Sequence, residues 1–187
     1  MSDPGRRVLT MNEEVRLVPW SDEDFWVLEA CNTPAMTANL GGPESAEKLA
    51  DRHRRYVALR GPGRMYRVEL AATGETVGSI GYWEHQQDDG ETVWETGWSV
   101  LSAFQGRGLA AAAAQSLIEV VRAAGGPHRT LHAYPRMSHG ASNAVCRKAG
   151  FQLAGTLTFE YPKGHWETSH DWWVDVSATA RPTAATP

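Results

Sequence analysis

The run Gln105-Gly106-Arg107-Gly108-Leu109-Ala110 constrains this chain more than any other feature. It follows a strand-like stretch, 92–101, and opens a helix-like stretch, 109–124. A glycine-rich turn between strand and helix leaves several backbone N–H groups without partners and aims them at one point. The first helical turn has four such donors, and the helix dipole adds partial positive charge. That combination binds phosphate groups. Gly106 and Gly108 let backbone approach a ligand without a Cβ in the way. Arg107 adds a charge that neutral pH cannot remove.

Two cofactor classes use such a turn. Gly106-Arg107-Gly108-Leu109-Ala110-Ala111 satisfies the dinucleotide pattern G-x-G-x-x-A. That pattern needs an opening βαβ unit and an acid about 20 residues on for the ribose. The corresponding region, Thr130-Leu131-His132-Ala133-Tyr134, has no acid, and none follows before Glu160, so the dinucleotide reading fails. The other spacing, Q/R-x-x-G-x-G/A, falls on Gln105, Gly108 and Ala110. It resembles the acetyl-CoA pyrophosphate loop of the GNAT superfamily of N-acetyltransferases.

The order of elements supports the resemblance. Hydrophobic periodicity and turn residues predict a strand at 15–19, helices at 21–30 and 45–59, and strands at 65–70, 76–84 and 92–101. A helix over 109–124 follows, then a strand at 129–134, a helix at 138–149 and strands at 151–161 and 167–176. Ser21 and Ser45 stand where N-caps belong, and Gly150 where a helix ends. A second motif lies in the last helix. Ser142-Asn143-Ala144-Val145-Cys146-Arg147-Lys148-Ala149-Gly150-Phe151 is similar to the N-x-x-S-N-x-x-x-x-K-x-G-F segment of GNATs related to the ribosomal-protein N-terminal acetyltransferases. The leading Asn of that segment falls on His139. The resemblance implies an α+β GNAT fold: a mixed, mostly antiparallel central sheet of six to seven strands with about four flanking helices, in one domain.

That domain is expected over 13–176, with a flexible extension at 1–12 and a disordered Ala/Thr/Pro-rich tail at 177–187. The chain has 187 residues, 42% hydrophobic and 21% charged, which suits one globular domain. A net charge of −4 gives no electrostatic case for nucleic acid. No apolar run is long enough for a membrane span, and Arg6 and Arg7 precede no signal-type apolar segment. Cys31 and Cys146 form no metal-type spacing, so a reduced, cytoplasmic protein is expected, as monomer or homodimer.

The resemblance implies acetyl-CoA as cofactor. The strand before the loop would be splayed from its neighbour by a bulge, so that the backbone of Ser99, Val100 and Leu101 pairs with the pantetheine arm. Gly97, inside that strand, fits a bulge. Backbone N–H groups of Gln105, Gly106, Arg107, Gly108, Leu109 and Ala110 would hold the pyrophosphate.

The implied reaction moves an acetyl group from a thioester to an amine. A lysine-like amine must be deprotonated to attack, at about 3.5–4 kcal/mol near pH 7.5, whereas the thiol leaves readily as thiolate. A base therefore matters more than an acid. Glu95, in the strand leading to the loop, is the leading candidate, with Glu84 in reserve. The tyrosine that many GNATs direct at the thiol falls on Cys146, whose mid-helix setting reads as a small buried hydrophobe. Ser142 and Tyr161 are the remaining candidates for the sulfur. His132, Tyr134 and His139 give no convincing metal set, and no metal is expected.

For the acceptor, eight tryptophans are unusual in a chain of this length. Trp20, Trp26, Tyr82, Trp83, Glu84, Trp98 and Trp166 are candidate acceptor-binding residues, with acids interleaved at Asp22, Glu23, Asp24, Asp88, Glu160 and Asp171. Rings and carboxylates suit a small cationic amine, with an aminoglycoside-type antibiotic as the leading guess. A protein N-terminus needs an open groove instead. A non-catalytic acyl-CoA-binding module is a third reading.

Overall fold

Among the described residues seven strands pair into one sheet: β1 (Val15–Pro19), β2 (Gly63–Leu70), β3 (Thr76–Gln86), β4 (Thr92–Val100), β5 (Thr130–Ala133), β6 (Gln152–Glu160) and β7 (Trp166–Asp175). Their spatial order is β1-β2-β3-β4-β5-β7-β6. Every neighbouring pair is antiparallel except β4 and β5. The computed structural model describes residues 14–177 apart from 60, 62, 161–163 and 165. Residues 1–12, the tail beyond 177 and Tyr161 lie outside the described residues.

Among the described residues five α-helices flank the sheet: α1 (Phe25–Cys31), α2 (Pro34–Thr37), α3 (Ala46–Ala58), α4 (Leu109–Ala124) and α5 (Gly140–Ala149). The alanine run of α4 packs into the main core with Ile80, Tyr82, Trp94, Leu131 and Trp172. Small side chains let the helix lie close to the sheet. On the other face α1 packs on β3 and α3 on β2. There Trp20, Val27, Leu28, Leu49 and Met65 form a second cluster.

The periodicity located the long elements and missed short ones. The segment expected as one helix over 21–30 is a 3-10 turn, Asp22–Asp24, followed by α1. Asp24 causes the break. It is fully buried and its carboxylate accepts hydrogen bonds from Ser21 N and Oγ and from Arg67 on β2. α2 was not anticipated; Pro34 starts it and the Thr33 hydroxyl accepts from Met36 N. α3 begins where Ser45 predicts, with its hydroxyl accepting from Lys48 N.

The expected bulge at Gly97 is absent. β3 and β4 stay in continuous register from Gly78 opposite Val100 to Gln86 opposite Thr92. The splay arises on the other side of β4. β5 has four residues and pairs with β4 only at Trp94 with Leu131 and Glu95 with His132, after which the strands part. Gly97 has a packing reason: a Cβ there would lie 3.0 Å from the Trp83 ring.

Candidate active site

The glycine loop takes the conformation that its sequence requires. Gly106 and Gly108 have φ of 76° and 82°, a region that side chains avoid, and Gly108 is the residue from which α4 starts. The first N–H groups engaged at this end of α4 belong to Ala111 and Ala112, both on Gly108 O. Among the described residues the N–H groups of residues 106–110 find no acceptor within the protein. A Cβ added at Gly106 or Gly108 would meet no protein atom within 4 Å, so the space over the loop is open. Gln105 braces the loop through Nε2 on Val100 O at 2.9 Å, and the Arg107 guanidinium lies 5.5 Å from the centre of the Phe104 ring.

From this loop a cavity of about 1300 Å³ runs along β4. Its lining includes Ser99, Val100, Gln105, Gly106, Gly108, Leu109, Ala110 and Ser142 at one end, with Trp83, Glu95 and Trp98 further along. At the far end stand Gln86, Gln87, Asp88 and Asp89, in the turn between β3 and β4. Beyond Glu95 the strand lacks a β5 partner. It therefore borders the cavity from both faces, through Gly97 and Ser99 on one and Trp98 and Val100 on the other. The Ser99 hydroxyl lies 3.0 Å from that of Ser79 and accepts from the Cys31 thiol at 3.4 Å.

Alternation along the strands gathers a polar floor around Glu95. Its cross-strand partner is Trp83, and its neighbour on the parallel strand is His132. Burial pushes the Glu95 carboxyl above the usual carboxylate range. His85, a hydrogen bond from the Trp83 side chain and His132 each act to lower it. His85 Nδ1 is 3.1 Å from Glu95 Oε2. His132 is fixed on both sides, with Nδ1 2.7 Å from Asp171 and Nε2 3.1 Å from the Thr130 hydroxyl. Tyr134 stacks on His132, and its oxygen accepts from Gln87 at 3.1 Å. Burial raises its phenol to about 12, so it stays a neutral O–H donor at physiological pH. A partly buried carboxylate whose pKa is raised is a better proton acceptor than one in open water.

Asn143 sets the start of α5. Its Nδ2 donates to Arg136 O and His139 O, while its Oδ1 accepts from Trp172 and lies 2.6 Å from His170 Nδ1. This anchor holds Ser142 on the cavity wall, where among the described residues its hydroxyl has no hydrogen-bond partner. Cys146 is fully buried, and its thiol is pushed up to about 12 by that burial, which removes it as a nucleophile.

The acceptor-binding set expected from sequence is only partly brought together. Trp83 and Trp98 line the cavity; Trp20, Trp26, Tyr82, Glu84 and Trp166 do not. Trp20 belongs to the second core cluster, where its indole N–H donates to His53. Tyr82 and Glu84 flank Trp83 in one strand, so they face the opposite side of the sheet. There Tyr82 packs edge-on against Trp94 at 5.2 Å and Glu84 pairs with His128 at 2.9 Å. Trp26 and Trp166 are exposed on the surface. Of the acids, Asp88 and Asp171 line the cavity, whereas Asp24 is committed to Arg67. His85, Gln87 and Tyr134 were not singled out as site residues. Their signal is alternation: His85 lies two residues after Trp83, and Tyr134 two after His132.

The acetyltransferase (GNAT) domain family matches residues 14–152, and the chain belongs to that family. It is an acetyl-CoA-dependent acyltransferase with the GNAT α+β fold. A comparison with curated proteins finds no match. Among solved structures, the chain is similar to an acetyltransferase from Salmonella typhimurium that modifies the N-terminal serine of ribosomal protein L7/L12. Identity is 19%, covering 90% of this chain and 99% of that one, with a TM-score of 0.73. A RimL ribosomal L7/L12 α-N-protein acetyltransferase in complex with coenzyme A gives 18% identity, 92% and 100% coverage and a TM-score of 0.75. The microcin C7 self-immunity acetyltransferase MccE, in complex with acetyl-CoA and AMP, gives 14%, 89% and 98%, and 0.70.

The loop fits acetyl-CoA on its own evidence of open space, left-handed glycines and free N–H donors. When bound, that cofactor supplies the activated acetyl thioester. Toward it the chain presents the free N–H groups of the loop, the Glu95 carboxyl and the Ser142 hydroxyl.

Proposed function

We propose that this enzyme acetylates the α-amino group at the end of a polypeptide, laid in an open trough with its amine at Glu95. The observation that carries this reading is the shape of the cavity. It follows β4 from the glycine loop to the β3–β4 turn. At a strand rise of about 3.4 Å per residue that is roughly 27 Å. Exposed residues border it at both ends: Gln105, Gly106 and Gly108 at one, Asp88 and Asp89 at the other. The cofactor takes the stretch from the loop to Ser99, and the end of an extended chain entering past Asp88 and Asp89 fits the remainder up to Glu95. Three of the five tryptophans that would have walled a closed pocket, Trp20, Trp26 and Trp166, stand elsewhere. The likeness to enzymes that acetylate the N-terminus of ribosomal protein L7/L12 supports the same reading.

In this reading Glu95 is the base. Ser142 serves the departing thiol, Ser99 and Val100 border the pantetheine arm, and the N–H groups of residues 106–110 hold the pyrophosphate. Leu101 and the Gln105 N–H, expected to share in this, are spent within the protein: Leu101 N donates to Val77 O, Leu101 O accepts from Phe104 N, and Gln105 N donates to Ser102 O. Tyr134 supplies a fixed hydroxyl beside the amine. Two free thiols, Cys31 and Cys146, suit a reducing cytoplasm.

A second reading keeps a small polar cation, such as an aminoglycoside-type antibiotic. Asp88 at the rim and Glu95 and Asp171 on the floor, beside the rings of Trp83 and Tyr134, favour it. The test is kcat/KM for short peptides with free N-termini against an aminoglycoside panel. Peptides should lead by tenfold or more. An aminoglycoside lead of that size, or loss of peptide turnover only on blocking lysine side chains, would overturn the α-amine reading.

A further inference from the structure

Glu95 must shed the proton it takes before it can act again, and its neighbours differ sharply in what they can do with that proton. We propose that His85 carries the proton from Glu95 to solvent, a positioning role exercised through the carboxylate. This rests on the reading above, with Glu95 as base.

The argument is by contact and exposure. The Trp83 side chain lies beside the carboxylate as its cross-strand neighbour, and its indole N–H can only donate. His132 is 8% exposed and both ring nitrogens are engaged, Nδ1 by Asp171 and Nε2 by Thr130. Tyr134 keeps its proton to about 12, and its oxygen already accepts from Gln87. Asp171 is turned to His132. His85 alone among these both reaches the carboxylate, at 3.1 Å, and stands well into solvent, with its side chain 41% exposed against 24% for Glu95. The Tyr134 ring, 5.3 Å from the imidazole, borders it on the β5 side. With acceptor and cofactor in the trough, water has less access to Glu95, whereas His85 lies near the open end beside Gln86 and Gln87.

The protons balance. The acceptor ammonium gives one proton to the Glu95 carboxylate. The carboxyl passes it to His85 Nδ1 in the Nε2–H tautomer, and the imidazolium releases its Nε2 proton to water. One proton enters and one leaves, and exchange with water at the exposed ring edge restores the starting tautomer. Imidazole is the side chain best matched to such transfer near neutrality.

The experiment compares wild type with His85→Gln in dilute buffer at fixed pH, using an amine that wild type turns over. We expect kcat to fall about tenfold or more, with both KM values within twofold. Free imidazole should restore it in proportion to its concentration, while wild type stays indifferent to imidazole. An undiminished kcat, or a loss that imidazole leaves in place, would overturn the proposal. His85→Ala, which leaves room for added imidazole, gives the same comparison if the Gln variant fails to fold. Absence of amine turnover in wild type overturns the acetyltransferase assignment of Glu95 and the proposal with it. An active wild type with an unaffected variant sinks the His85 role alone.

Discussion

At the scale of single residues, Glu95 has the most exacting position. Burial raises its pKa, and the adjacent His85, Trp83 and His132 act against that rise. As the proposed base the carboxyl acts only when ionised, so activity should be lost as pH falls through its folded-state pKa. The acid limb of kcat/KM against pH should therefore lie above the ordinary carboxylate range. Glu95→Gln should lower turnover by about 10²-fold or more near neutrality, with the deficit shrinking as pH approaches the pKa of the amine. Parallel pH profiles for the two proteins would remove Glu95 as base. The residue scale also shows where chemical type misleads. Seven residues of suitable chemistry were expected at the acceptor site, and only Trp83 and Trp98 line the cavity: alternation turns Tyr82 and Glu84 away from Trp83, Trp20 packs in the second core cluster, and Trp26 and Trp166 are exposed.

At the scale of elements, two anchors place the site. Asn143 ties the start of α5 to Arg136 O, His139 O and Trp172, which sets Ser142 on the cavity wall. Because thiolate leaves readily, Ser142→Ala should cost less turnover than Glu95→Gln. Steady-state kcat for the two variants settles the order, and a larger loss at Ser142 would make thiol departure the harder step. The second anchor is Asp24, which locks the start of α1 to β2 through Arg67 at 2.7 Å. Asp24→Ala leaves a largely buried guanidinium without one of its two acidic partners, Glu69 being the other. Removing one partner of a buried pair costs about 3 kcal/mol or more, and Glu69 keeps this case near the lower end. Urea titration would read that loss directly.

At the scale of the whole molecule, the glycine loop sits where sheet and helix meet, so a cofactor bound there, as proposed, is linked to global stability. Acetyl-CoA at 100 times its Kd should stabilise the folded state by about 2.7 kcal/mol, roughly 5–10 °C in Tm. Gly108→Val should abolish that shift. The new side chain would stand in the open anion site at a φ of 82°, which a β-branched residue does not tolerate. A full thermal shift in a folded Gly108→Val protein would refute the loop assignment.

The sequence by itself determined the features that depend on neighbours along the chain. The glycine loop and the helix it opens, the Ser45 cap, the motif that becomes α5 and the strand carrying Glu95 were all legible. Each follows from backbone conformation or from a local periodic pattern. α2 and the 3-10 turn were not, because a single turn has too few residues to show a period. Only the tertiary structure decided which side chains share a space. The splay beside β4 comes from the shortness of β5 rather than from a bulge at Gly97. The ring of His85, Tyr134, His132 and Asp171 around Glu95 depends on the register of β3, β4, β5 and β7. Register is fixed by long-range packing and leaves no local trace. It sends Tyr82 into the core and turns Trp83, its immediate neighbour, to the cavity.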